Sequence, residues 1–139
     1  MKIMTLKVLK YWLPPVIWGS IIFSFSSLHT ISTTDFYLGD FLLKKTAHIM
    51  EYGIFATLLY RALVNSNIKK EKAMLAAVLI AFIYGATDEF HQSFTPGRTP
   101  TLRDILIDTA GATLFVYGII GNINKMPKIV QNMYNRYQI

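Results

Sequence analysis

The chain has 139 residues, of which 53% are hydrophobic and 16% charged, a formal net charge of +6 and no cysteine. This length gives one domain, the apolar share exceeds that of an average soluble domain, and the missing cysteines exclude disulfides and thiolate chemistry. A charge of +6 would suggest a nucleic-acid partner in a soluble protein, but here the basic residues are placed as topology signals, so none is expected.

The apolar residues are clustered. Tyr11 to Leu28 carries no charge, Thr46 to Val64 only His48, Glu51 and Arg61, Ala73 to Tyr84 none, and Ile105 to Ile123 only Asp108. A spanning helix needs about 20 mostly apolar residues, so the reading is all-α: a single domain over 1–139 with four transmembrane helices near 11–28, 46–64, 73–94 and 104–123 and a tail over 125–139. The first run follows Lys2, Lys7 and Lys10, yet Ser26-Ser27-Leu28-His29-Thr30 offers no small-x-small cleavage site, so it is kept as a span.

In chain order, Pro14-Pro15 falls early in the first span, where prolines are tolerated near a first turn or make a kink. The loop His29 to Gly39 is rich in Ser, Thr, Asp and Gly, and Asp40 is expected to cap the second helix. That helix carries Lys44, His48, Glu51, Tyr52 and Phe55 on one side. The turn Asn65 to Lys72 holds Lys69, Lys70 and Lys72 against Glu71. The third helix is apolar until Tyr84-Gly85-Ala86-Thr87-Asp88-Glu89-Phe90-His91-Gln92, where Asp88, His91 and Gln92 share a face. Pro96-Gly97 is turn chemistry, and Thr101 with Asp104 has the spacing of a capping box. The fourth helix passes Asp108, Gly111 and Gly118, and the tail alternates apolar and polar residues as an interfacial amphipathic helix does.

Ten basic residues lie at the N-terminus, at Arg61 and the 65–72 turn, and in the tail, against Lys44, Lys45, Arg98 and Arg103 at the opposite ends. The positive-inside rule makes the ten-residue side, with both termini, cytoplasmic. His48, Glu51, Asp88, Glu89, His91, Gln92, Arg98, Arg103, Asp104 and Asp108 then gather at the outer face. Ionisable groups at this depth cost roughly 2.5–3.5 kcal/mol each on insertion scales, so they are kept where they pair or act.

Three chemistries suit such a set: carboxylates with imidazoles ligate a divalent cation, paired carboxylates divide into acid and base, and arginines near helix N-termini hold an anion. The catalytic candidates are His48, Glu51, Asp88, Glu89, His91 and Asp108; the ligand-binding candidates are Lys44, Tyr52, Gln92, Arg98, Arg103 and Asp104. Plainer roles compete. Asp104 can simply favour its own helix dipole, Arg98 and Arg103 can anchor to headgroups, and Gly85, Ala86, Gly111, Ala112 and Gly118 suit close helix packing.

Three blocks carry a family resemblance: His48-x-x-Glu51-Tyr52; Tyr84-Gly85-x-x-Asp88-Glu89-x-His91-Gln92-x-Phe94-x-Pro96-Gly97-Arg98; and Asp104-x-x-x-Asp108-x-x-Gly111. With Ser26-Ser27 after a phenylalanine-rich first span, the chain resembles the VanZ-like membrane proteins over about residues 11 to 121. That family takes its name from a protein of glycopeptide-resistance clusters associated with low-level teicoplanin resistance. Many relatives carry asparagine where this chain has Asp108, and a further glycine near Phe115. The resemblance implies a four-span membrane protein with a polar outer site, and names a class without naming a reaction.

The expectation is a multi-pass cell-envelope protein embedded in the lipid bilayer. Its outer site binds or acts on an amphiphile with an anionic or polar headgroup, such as a lipid-linked wall precursor or a lipoglycopeptide. The alternatives are a scaffold whose ion pairs are structural and a small-ion or proton pathway. Against the pathway, the inner halves of the helices lack acids and histidines.

Overall fold

The computed structural model describes residues 2–27, 37–95, 98 and 100–137. The expected 29–39 loop up to residue 36 and the Pro96-Gly97 pair lie outside them. Among the described residues the chain is entirely helical and turn, without strands. Its helices are α1 (Lys2–Ser26), α2 (Tyr37–Asn65), α3 (Lys70–Gln92), α4 (Leu102–Thr113) and α5 (Lys128–Tyr137). A π-helical stretch, Leu114–Ile119, and a 3₁₀ stretch, Ile120–Lys125, continue α4.

Two expectations about helix starts are corrected. Asp40 lies inside the first turn of α2, which begins at Tyr37, so it is not the N-cap. The basic lead is likewise part of α1, and Pro14-Pro15 sits in mid-helix, where neither residue has an N–H to give the preceding turn. The helix persists because Pro15 is packed inside the bundle, buried with Tyr11, Gly19, Ile22 and Ser26 along one stripe at spacings of three and four.

α2 is the central element and touches α1, α3 and α4. It buries Tyr52, Phe55, Ala56, Leu59, Tyr60, Ala62 and Leu63, more than any single stripe could supply. α3 offers it a stripe of small residues at every fourth position, Ala73, Ala77, Ala81 and Gly85, which lets the backbones approach. The closest approach is between α2 and α4: a Cβ at Gly111 would lie 2.5 Å from the Ile49 carbonyl oxygen. Gly53 likewise gives its space to the Phe115 ring.

The outward faces remain apolar. Val16, Ile17, Phe25, Leu79, Ile83, Leu106 and Leu114 are all exposed, a pattern of helices that are apolar on every side. Two helical segments, Val8–Ser26 and Lys70–Gln92, are long and apolar enough to cross a membrane. α2 carries Lys44, Lys45, His48, Glu51 and Arg61 along its length, and α4 is divided among three windings. α5 packs across the far end of the bundle, where Arg61 Nε donates to the Tyr137 carbonyl at 2.7 Å.

Candidate functional site

The charged residues of α2 and α4 meet as rungs between two helices that start at the same end of the bundle. Lys45 Nζ is 2.6 Å from Asp104 Oδ1, and one turn deeper His48 Nδ1 is 3.0 Å from Asp108 Oδ1. Spacings of three on α2 and four on α4 put each pair in register. The ladder continues in apolar form through Ile49 with Gly111 and Gly53 with Phe115. Lys44, the lysine expected here from face geometry, is half-buried and takes neither rung; Lys45 does.

The N-terminus of α4 is capped by two helices together. Thr101 is the N-cap and its hydroxyl accepts from Asp104 N at 3.3 Å, which is half of the expected capping box. The other half does not come from Asp104. Thr101 N donates instead to Glu89 Oε2 at 2.8 Å, so α3 supplies the carboxylate and Asp104 is released to pair with Lys45. Glu89 thus fixes the position of Thr101 at the start of α4, a role that the sequence concealed because the two residues are twelve apart.

Asp88 and Gln92 form the third part of the cluster. Gln92 Nε2 donates to Asp88 Oδ2 and to Ser26 Oγ, each at 2.9 Å, which ties the end of α3 to the end of α1. Arg98 also reaches α1, its Nη2 lying 3.4 Å from the Phe25 carbonyl. His91 packs against Phe23 with ring centroids 4.4 Å apart. Glu51 is half-buried, its backbone carbonyl accepting from Trp18 Nε1 at 3.0 Å, and its carboxylate interacts coulombically with His48, Asp108 and Asp88.

These acids are deeply placed: Asp108 is 2% exposed, Glu89 4% and Asp88 5%. Their neighbours leave three buried polar atoms without a protein partner, namely the Tyr52 hydroxyl, Asp88 Oδ1 and His91 Nδ1. Gly85 helps to make this space, since a Cβ there would sit 3.6 Å from both the Tyr52 hydroxyl and Asp108 Oδ2. Arg103 is the contrast. Its side chain is 62% exposed, with Nε 3.6 Å from Asp104 Oδ1 and the guanidinium over the Phe41 ring.

The structure therefore brings His48, Glu51, Asp88 and Asp108 within mutual electrostatic reach, with Asp104 near His48, Asp108 and Glu89. Arg98 and His91 stand at the α1 side, and Arg103 at the rim by Phe41. Among the described residues no group of three or more His, Asp or Glu side chains has the arrangement to hold a metal ion. Ser26, Phe25 and the Thr101 amide are the participants that residue chemistry alone did not single out, since two of them act through the backbone. A model of the VanZ/LLP1 family matches residues 5–123. No curated protein and no solved structure matches the chain.

Proposed function

Starting from the fact that the chain belongs to the VanZ/LLP1 family, we propose a four-span membrane protein whose outward polar site binds an amphiphile with an anionic headgroup. A lipid-linked wall precursor or a lipoglycopeptide has this chemistry, and the latter fits the family's association with glycopeptide resistance. The observation that carries the reading is the division of labour in the cluster. Asp88, Glu89 and Asp108 are buried and hydrogen-bonded within the protein, whereas the Arg103 side chain is exposed at the rim.

Apolar residues on the outward faces of α1, α3 and α4 support a lipid surround. Arg98 and Arg103 supply the cationic groups of this end, since the α4 N-terminus there is already met by Thr101 and Glu89. A planar fork grips phosphate or carboxylate through two parallel hydrogen bonds, and an ammonium cannot. The test is equilibrium binding of a lipid-linked pyrophosphate to the protein in nanodiscs. Replacing both Arg98→Lys and Arg103→Lys is expected to weaken binding about tenfold, ~1.4 kcal/mol. Wild-type affinity in the double variant would show that charge alone suffices, and the bidentate grip would be wrong.

A second reading rests on the His48–Asp108 bond. A carboxylate holding one ring nitrogen orients the other towards a substrate, the arrangement of a general base and its positioning acid. Under this reading His48→Gln abolishes turnover of the bound amphiphile while binding survives. Equal product formation by that variant would remove the catalytic version.

A further inference from the structure

The polar cluster has an apolar neighbour. A groove of about 490 Å³ lies between α1, α2 and α3, with Trp12, Gly19, Ser20, Phe23, Phe55 and Tyr84 among its walls. From Trp12 to Ser24 it follows α1 for roughly 18 Å by the helical rise of 1.5 Å per residue. It is longer than one leaflet of a hydrocarbon core about 30 Å thick.

We propose that this groove seats the hydrocarbon chain of the amphiphile whose headgroup the polar site binds, and the inference rests on that reading. The lining is chemically dry. Ser20 Oγ donates to the Val16 carbonyl and Ser24 Oγ to the Ser20 carbonyl, Tyr84 O–H donates to the Gly19 carbonyl at 2.6 Å, and Trp12 Nε1 donates to Ser66 Oγ. Each side-chain donor in the wall is thereby satisfied inside the protein, which suits a hydrocarbon occupant.

The groove adjoins the polar site across Phe23. Phe23 lines the groove and its ring packs at a tilt against His91, whose buried Nδ1 has no protein partner. Two residues further on, the Phe25 carbonyl receives Arg98. One molecule can therefore lie with its head by Arg98 and His91 and its tail along α1.

The test uses two single-chain photoprobes with a diazirine in mid-chain, one with a phosphate head and one with a neutral glycerol head, applied to the full-length protein in nanodiscs. The phosphate probe is expected to label peptides holding Val16, Ser20 and Leu59, and Ser20→Trp or Ser24→Trp, both at exposed positions, to reduce that label at least fivefold. Two independent variants guard against loss of the fold, which retained helicity by circular dichroism verifies. Label spread evenly along the outward face of α1, or undiminished in both folded variants, overturns the proposal. Equal labelling of the groove by the neutral probe keeps the tail seat and instead contradicts the anion-binding reading of the polar site.

Discussion

Glu89 shows how a carboxylate singled out for its chemistry also holds a turn in place. Its neighbours Asp88, His91 and Gln92 place it among catalytic candidates, yet its oxygen is committed to the amide of Thr101 at the start of α4. A buried amide that loses its acceptor costs about 1–3 kcal/mol, and loss of an N-cap hydroxyl costs about 1 kcal/mol. Glu89→Ala is therefore expected to lower stability by about 2 kcal/mol and Thr101→Val by about 1 kcal/mol, read from unfolding in a mild detergent. Because both hold the same turn, the double variant should lose less than the sum. Full additivity would show that Glu89 and Thr101 do not cooperate in capping. Lys45 taught the converse lesson. Face geometry on α2 alone does not decide between Lys44 and Lys45; the position of Asp104 on the facing helix does.

At the scale of elements, the apolar runs were readable because lipid-compatible helices are apolar on all sides, and α3 emerges close to its expected limits, whereas α1 takes in the basic lead back to Lys2. The breaks within α4 were not readable. Its winding loosens to a π-helical stretch from Leu114, where Phe115 packs over Gly53, a contact between residues far apart in the chain. The glycines differ in consequence for the same reason. A methyl group at Gly111 meets the backbone of Ile49, which cannot move aside, whereas at Gly118 it meets only the Leu114 side chain at 3.3 Å. Gly111→Ala should cost about 1–3 kcal/mol as overpacking, and Gly118→Ala should be neutral or stabilising. Equal unfolding midpoints for the two variants would mean that α2 and α4 are not in this contact.

α5 belongs to the same scale. Its Tyr134 flank faces the bundle while Ile129 and Met133 are exposed beside Arg136, and no acid follows Asp108 in the chain. We propose that this flank enters the membrane interface, as amphipathic basic helices do. A spin label on Met133→Cys should be relaxed more by oxygen than by a water-soluble nickel chelate, with the order reversed for Asn132→Cys. Chelate-dominated relaxation at both positions would place α5 in water.

For the whole molecule, the arrangement of charge is the feature from which function follows. One end carries Lys10, Arg61, Lys69, Lys70, Lys72, Lys125, Lys128 and Arg136. The other carries Glu51, Asp88, Glu89, Asp104 and Asp108 with Lys45, Arg98 and Arg103. The family blocks marked the second end in advance, since their residues recur at helix ends that must converge if the helices alternate in direction. What the blocks could not convey is the division between buried acids and a presented arginine, which depends on how deep each helix sits.

The proposal that this polar end faces outward carries every functional assignment above, and the absence of cysteine from the sequence makes it open to direct test. Single cysteines at Ser93, beside the cluster, and at Lys70 and Asn132, at the basic end, all fall on exposed positions. In intact cells, an impermeant maleimide should label Ser93→Cys at once and label Lys70→Cys and Asn132→Cys only after the membrane is permeabilised. The reverse pattern would place the polar site in the cytoplasm and contradict its binding of an envelope amphiphile from outside.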